Sequence, residues 1–183
     1  MRSCSAEAVG GQLIRQTNEN FCHIHLNQND ILGIIKPLTH SSTIVGELLV
    51  GLKLKIPLII FPLIYSPRIL LHFLSKHRVS IICLNPFLLE LLTNTMPNYK
   101  IDTIRKIFVS GEALSLNLLK KASQRFANIP ICNMYGLTEA GPRVTMQDQM
   151  DLQIISAGKC INGVTIQIQN IEGHTLIIQI GRA

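Results

Sequence analysis

Apolar and polar residues fall along this chain in blocks that repeat. Residues 31–35 (ILGII) form a continuous apolar run, the pattern of a strand buried on both faces. Pro37 ends it. Ser41 and Ser42 offer helix-cap hydroxyls, and Ile44, Leu48 and Leu52 recur at helical spacing, so a helix is predicted next. Residues 56–61 are a second apolar run. Pro67 sits where a helix tolerates a missing N–H, and Ile69, Leu70, Phe73 and Leu74 give that helix an apolar face. Residues 79–84 (VSIICL) read as a third strand. Asn85 and Pro86 then open a helix through Leu92, and 94–102 is a polar loop. A fourth strand spans 106–109. Ser110-Gly111 turns the chain, and Ser115 caps a helix carrying Leu118, Leu119, Ala122 and Phe126. A fifth strand spans 129–134. Strand and helix thus alternate at intervals of roughly 20–30 residues, the size of one strand–helix–strand unit. The pattern predicts an α/β fold, a three-layer α/β/α sandwich around a mostly parallel sheet.

After Pro142 the rhythm changes. Residues 164–169 (VTIQIQ) and 175–180 (TLIIQI) alternate or nearly so, with Glu172-Gly173 between them, which predicts an antiparallel hairpin and the start of a second, β-only unit. Residues 1–30 are weakly patterned, with one polar helix possible over 13–25. The expected organisation is a segment 1–30, an α/β subdomain 31–150 and an incomplete β subdomain 151–183.

Composition supports a folded chain. Hydrophobic residues make up 47% and charged residues only 15% of the 183 positions, too apolar for a disordered segment. The net charge is +6, but the basic residues are scattered and no Trp is present, so a dedicated nucleic-acid binder is disfavoured. The greasiest stretch, 56–65, is interrupted by Pro57 and Pro62 and is half the roughly 20 residues a spanning helix needs, so no membrane span is expected. Five widely spaced cysteines without a C-x-x-C exclude a zinc ribbon or a redox motif and fit a cytoplasmic protein. Cys83 and Cys132, inside apolar runs, are expected to be buried.

In a parallel sheet ligands sit beyond the carboxyl ends of the strands. Two predicted strand exits carry chemistry: Ser110-Gly111-Glu112 and Tyr135-Gly136-Leu137-Thr138-Glu139. The second offers an aromatic face to stack on a base and a Gly that lets backbone approach a ligand. It also offers a hydroxyl for a phosphate oxygen and a carboxylate, a hard ligand for Mg²⁺. Taken alone, five such residues are also what a surface turn looks like.

Two segments together carry a resemblance. Residues 133–142 (NMYGLTEAGP) and 109–114 (VSGEAL), separated by about two dozen residues with a helix and a strand between, resemble the adenine- and magnesium-binding motifs of the adenylate-forming superfamily. That superfamily holds acyl-CoA synthetases, luciferases and the adenylation domains of nonribosomal peptide synthetases. The segment ILGIIKPLTHSSTIVGELLVGL is similar to the family's strand, Pro-Leu-x-His and following helix. SAGKCINGVTIQI is similar to its later hairpin lead, with Cys160 in place of Pro. The resemblance covers about residues 30–180 and implies a piece of an ATP-dependent ligase that activates a fatty, aryl or amino acid as its adenylate. CoA or a carrier protein is a possible acceptor.

The resemblance also implies roles. Tyr135 would stack on adenine, Asn133 would approach its edge, and Gly111, Glu112 and Ala113 would cover the other side, with Gly136 beside them. Thr138 would touch the α-phosphate, Glu139 would hold Mg²⁺, and His40 would sit beside the acyl pocket. The cofactors implied are ATP and Mg²⁺. The chain departs from the family where a Ser/Thr/Gly-rich phosphate loop with its Lys is expected before residue 20: Ser3, Ser5, Gly10, Gly11 and Thr17 are scattered there, and the first Lys is Lys36. The alternative is therefore a non-catalytic remnant or interaction module. His23 and His25 lack a third metal ligand. Glu112 is expected to position backbone or to stand at a hydrogen-bonded helix start rather than to act as a general base, and Glu47 is expected at the polar edge of its helix.

Overall fold

The computed structural model describes residues 26–62, 66–95, 101–127, 129–147, 156–168 and 170–172. The possible helix over 13–25 and the pair His23/His25 lie outside them. So do residues 175–180, the second arm of the expected hairpin; its first arm, 164–168, carries no strand pairing.

Seven strands form one sheet among the described residues: β1 Leu32–Ile34, β2 Leu58–Ile60, β3 Ile81–Leu84, β4 Lys106–Val109, β5 Ile131–Leu137, β6 Gly141–Gln147 and β7 Lys159–Cys160. Their spatial order is β2-β1-β3-β4-β5-β6-β7. The first five are parallel, and β6 and β7 are antiparallel additions at one edge. The helices between them are α1, running through Ser41–Thr43, Ile44–Leu48 and Leu49–Leu54, then α2 Pro67–Lys76, α3 Pro86–Asn94 and α4 Leu116–Arg125. No helix among the described residues is long and apolar enough to cross a membrane.

The strand pleat sorts neighbouring residues to opposite faces. Ile82, Leu84, Ile107 and Val109 pack on one side with Leu71 and Leu74 of α2, Leu89 of α3 and Leu119 of α4. Ile81, Cys83 and Phe108 pack on the other with Val50 of α1, beside Cys132 and Met146. Strand order accounts for this division. The chain moves one way from β1 to β2 and the opposite way through β3, β4 and β5. Crossovers between parallel strands are right-handed, so reversing direction moves the helix to the other face. The expected three-layer sandwich results.

Three local expectations are corrected. The N-cap of α1 is His40, without a side-chain cap, and Ser41 and Ser42 lie inside the helix. Residues Ile44–Leu48 form a π-helical turn. Such a turn holds an extra residue, which rotates the remainder of the helix about its axis. Leu52 consequently faces solvent, 59% exposed, while Val50 and Gly51 face the sheet. The same turn carries Glu47 fully inside, away from the expected polar edge. The structure also adds a strand for which the sequence carries no expectation, Gly141–Gln147. Its Pro, Arg and Gln disguise it, but pairing with β5 through Asn133↔Gln147 and Tyr135↔Thr145 overrides composition. Pro142 is accommodated near the register shift between Tyr135 and Leu137.

Candidate functional site

Strand order picks out one place on the carboxyl edge of the sheet. From β1 the chain departs toward β2, and from the adjacent β3 it departs the other way. A crevice opens at such a switch point, the usual ligand position in open α/β sheets. A cleft of about 380 Å³ lies there, between Ile35, Lys36 and Pro37 after β1, Asn85, Phe87 and Leu88 after β3, and Ser110, Gly111 and Glu112 after β4. His40 and Ser42 of the α1 start close it.

Two more clefts continue along the same edge. The middle one, about 620 Å³, shares His40, Ser42, Ser110 and Gly111 with the first and adds Gly136, Thr138 and Glu139. The third, about 410 Å³, lies between Gly111, Glu112 and Ala113 on one side and Asn133, Tyr135 and Gly136 on the other. Ser156 and Ala157 form its far wall. The nine residues singled out in the sequence therefore fall in one chain of clefts. Six line the third cleft, Thr138 and Glu139 line the middle, and His40 lies between the middle and first.

Each is placed by an identifiable local cause. Tyr135 and Leu137 lie in β5, not in a loop beyond it, and only Thr138, Glu139 and Ala140 form the hairpin turn. Tyr135 is 46% exposed, its ring open to the cleft. Gly136 is required by close approach: a Cβ there would lie 2.3 Å from the Pro142 carbonyl oxygen on the paired strand. Gly111 turns the chain out of β4 at φ +103°. Asn133 is buried and its amide donates to the Ser156 carbonyl at 2.9 Å. The Thr145 hydroxyl donates to the Ala157 carbonyl. These two bonds hold the far wall onto the β5–β6 hairpin. Glu112 is exposed in the bend after β4, whereas α4 begins only at Leu116 with Ser115 as its cap, so of its two expected roles the helix start is corrected.

The residues present fit a nucleotide with its magnesium. The third cleft has an exposed aromatic face opposite a Gly-Glu-Ala backbone, the two sides a planar base needs. No group of three His, Cys, Asp or Glu side chains among the described residues could hold a metal by itself. Mg²⁺ is commonly held by one or two carboxylates together with phosphate oxygens. Glu139, exposed on the turn, suits that kind of shared site.

Below the first cleft lies a buried charged group absent from the sequence expectations. Lys36 Nζ stands 3.1 Å from Glu47 Oε1. Arg143 of β6 is buried nearby, with its guanidinium 5.9 Å from the Phe108 ring centroid and one terminal nitrogen 4.0 Å from Cys83 Sγ. Burial pushes the Glu47 carboxyl above its ordinary range against the pull of Lys36 and Arg143. Burial, together with the Glu47 charge, pushes the Cys83 thiol up to about 12, so it stays protonated at neutral pH. Only the break of the apolar run at Lys36, and an Arg just past a candidate loop, hinted at this cluster in the sequence.

Comparison with known proteins points the same way. The family model described as AMP-binding enzyme matches residues 9–179. The 4-coumarate-CoA ligase 1 of Narcissus pseudonarcissus is 24% identical over 157 residues, covering 82% of this chain and 28% of that protein. Among solved structures, o-succinylbenzoate coenzyme A synthetase from Bacillus subtilis, in complex with ATP and magnesium ion, superposes with a TM-score of 0.80 at 21% identity, covering 91% of this chain and 34% of that one. McyG A-PCP complexed with phenylalanyl-adenylate superposes with a TM-score of 0.78 at 21% identity, covering 90% and 29%. The chain spans less than a third of the length of the curated relatives it matches.

Proposed function

The chain belongs to the AMP-binding enzyme family, and from that premise we propose that its carboxyl edge takes part in activating a carboxylic acid with ATP. The observation that carries this is the convergence of two separated segments, 111–113 and 133–136, on one cleft beside the Thr138–Glu139 turn. In this reading adenine lies in the third cleft on Tyr135, the phosphates cross the middle cleft, and the acid occupies the first, beside His40. The acid's carboxylate oxygen attacks the α-phosphorus, the bond to the β-phosphate breaks, and pyrophosphate leaves. The Thr138 hydroxyl donates to an α-phosphate oxygen as charge builds there. Glu139 would hold Mg²⁺, which supplies charge neutralisation for the phosphates. A thiol of CoA or of a carrier protein then attacks the acyl carbon of the adenylate, the acyl–phosphate bond breaks, and AMP leaves as the thioester forms; the similarity to a CoA ligase and to a structure with a carrier-protein domain supports either acceptor.

The test is ATP–pyrophosphate exchange by this chain with a panel of fatty, aryl and amino acids, alongside calorimetric titration with ATP. Acid-dependent exchange supports the proposal. A folded chain without exchange, whether it binds ATP weakly or not at all, overturns the proposal and supports the alternative, a non-catalytic remnant or interaction module. Within the proposal, Tyr135→Ala removes the stacking face; loss of one base–aromatic stack is worth about 1–3 kcal/mol. ATP affinity should therefore fall at least about fivefold by calorimetry, and an unchanged affinity would remove adenine from that wall.

A further inference from the structure

We infer that the first cleft selects an acid carrying a second anionic group at its far end, held by the ammonium of Lys36. The inference rests on the acid-cleft reading above and adds a substrate class to it. Its basis is the charge balance beneath the cleft. Two cations, Lys36 and Arg143, share one carboxylate, Glu47, so the cluster carries one excess positive charge. All three are held in the interior: the side chains of Lys36 and Glu47 are 9% and 1% exposed, and Arg143 is 3% exposed. Arg143 has room because residue 46 is Gly; a Cβ there would come within 3.2 Å of the guanidinium. Both Glu47 carboxylate oxygens and one terminal nitrogen of Arg143 have no hydrogen-bond partner among the described residues, the Lys36–Glu47 contact being an ion pair; of these groups only the Arg143 nitrogen is a donor that an anion could satisfy. The Cys83 thiol beside them stays protonated and supplies no negative charge. Buried charge without a counter-charge is costly, and incomplete pairing of this kind favours an incoming anion.

Geometry decides where that anion can sit. An ammonium has three N–H donors. Those of Lys36 meet Glu47 at 3.1 Å and the Ser42 hydroxyl at 3.5 Å, and Lys36 also lines the cleft itself. A donor therefore remains for a ligand. Lys36 borders the first cleft and not the middle one, whereas Thr138 and Glu139 border the middle one and not the first. An acid whose reacting carboxylate points to Thr138 thus carries its other end to Lys36. Between the two ends, Ile35, Pro37, Phe87 and Leu88 suit an apolar body, an aryl ring or a short chain. The other ionisable groups on this cleft are His40 and Glu112. Glu112 is solvent-exposed and also lines the third cleft, so its charge is screened by water.

The test uses three rigid probes of matched shape, terephthalate, benzoate and para-hydroxybenzoate, titrated by NMR into the whole chain with a non-hydrolysable ATP analogue present. Terephthalate should bind about tenfold more tightly than benzoate, and Lys36→Met should bring the two within about twofold of each other. Equal binding to the unaltered chain, or a preference that survives in Lys36→Met, overturns the inference. Para-hydroxybenzoate binding as tightly as terephthalate overturns it too, by showing that a neutral acceptor suffices. If Lys36→Met fails to fold because Glu47 is left alone in the interior, the double variant Lys36→Met with Glu47→Met removes the pair together and is held to the same criterion. No binding by any probe to a folded chain overturns the acid-cleft reading as well, a result distinct from equal binding.

Discussion

Asp30 is buried just before β1, where it accepts hydrogen bonds from the Asn27 N–H at 2.7 Å and from Ser80 Oγ at 2.8 Å. The Arg105 guanidinium pairs with the same carboxylate. Ser80 precedes β3 and Arg105 precedes β4, so one side chain ties three strand starts at the edge opposite the clefts. Burial opposes its ionisation, but the bonds from Arg105, Asn27 and Ser80 outweigh burial and hold the carboxyl below its ordinary range. A lowered folded-state pKa contributes stability above the unfolded value, which is lost as pH falls through the folded value. Asp30→Asn should therefore cost about 2 kcal/mol at neutral pH, the scale of a hydrogen bond to a charged group. That deficit should shrink as pH drops below about 4, where the unfolded carboxyl protonates. Urea denaturation of both forms across pH measures it; a deficit independent of pH would leave the ionised form without a role.

At the scale of elements, the β5–β6 hairpin carries most of the proposed nucleotide site. Its two strands approach so closely at Gly136 that a methyl group would meet backbone, which cannot yield as a side chain does. Gly136→Ala should destabilise by about 1–3 kcal/mol, as overpacking does. It should also weaken ATP binding more than a distant change of equal stability cost, which paired melting and calorimetry would reveal. The helix start at α3 invites a similar test. The Asn85 side chain accepts the Leu88 N–H at 2.8 Å, and Asn85 also lines the first cleft. Asn85→Ala should cost about 1 kcal/mol by thermal melting. The Ser115 cap of α4 is longer, 3.2 Å, and exposed, so Ser115→Ala should cost less; the reverse order would mean that bond length and burial do not rank these caps. Both caps are legible in the sequence because capping is local chemistry. The π turn is not, since an extra residue in a helix leaves the apolar spacing ambiguous. Nor is β6, whose strand character comes from pairing and burial rather than from GPRVTMQ itself.

Across the whole molecule, the alternation of apolar runs and amphipathic segments is enough to predict a parallel sheet sandwiched by helices. It cannot supply strand order, because the placement of β1 between β2 and β3 depends on contacts far apart in sequence. The first cleft is hidden for that reason: its residues come from three strand exits, of which only Gly111 and Glu112 stand out by their chemistry, with His40 marked by resemblance alone. The second and third clefts are visible in part, because two short segments, 111–113 and 133–139, supply many of their residues, while 39–45 and 156–157 complete them unannounced. The charged triad escapes because Lys36, Glu47 and Arg143 each read as an ordinary surface residue in its own segment.

The mixed sheet also sets an order of events during folding. β5 and β6 meet across a three-residue turn, Thr138 to Ala140, and a hairpin of that kind closes within about 1–10 μs. The pairing of β1 with β3 spans an intervening strand and two helices; the Ile31 N–H finds Ser80 Oγ across 49 positions. Distant pairings of this kind are slow because chain entropy is lost before contact repays it. Pulse-labelling hydrogen exchange during refolding should protect amides of β5 and β6 before those of β1, and simultaneous protection would refute the order. The proposed nucleotide wall would then exist in a chain that has not yet built the first cleft, so under that proposal an adenine nucleotide could engage and bias an early intermediate before the cleft proposed for the acid is complete.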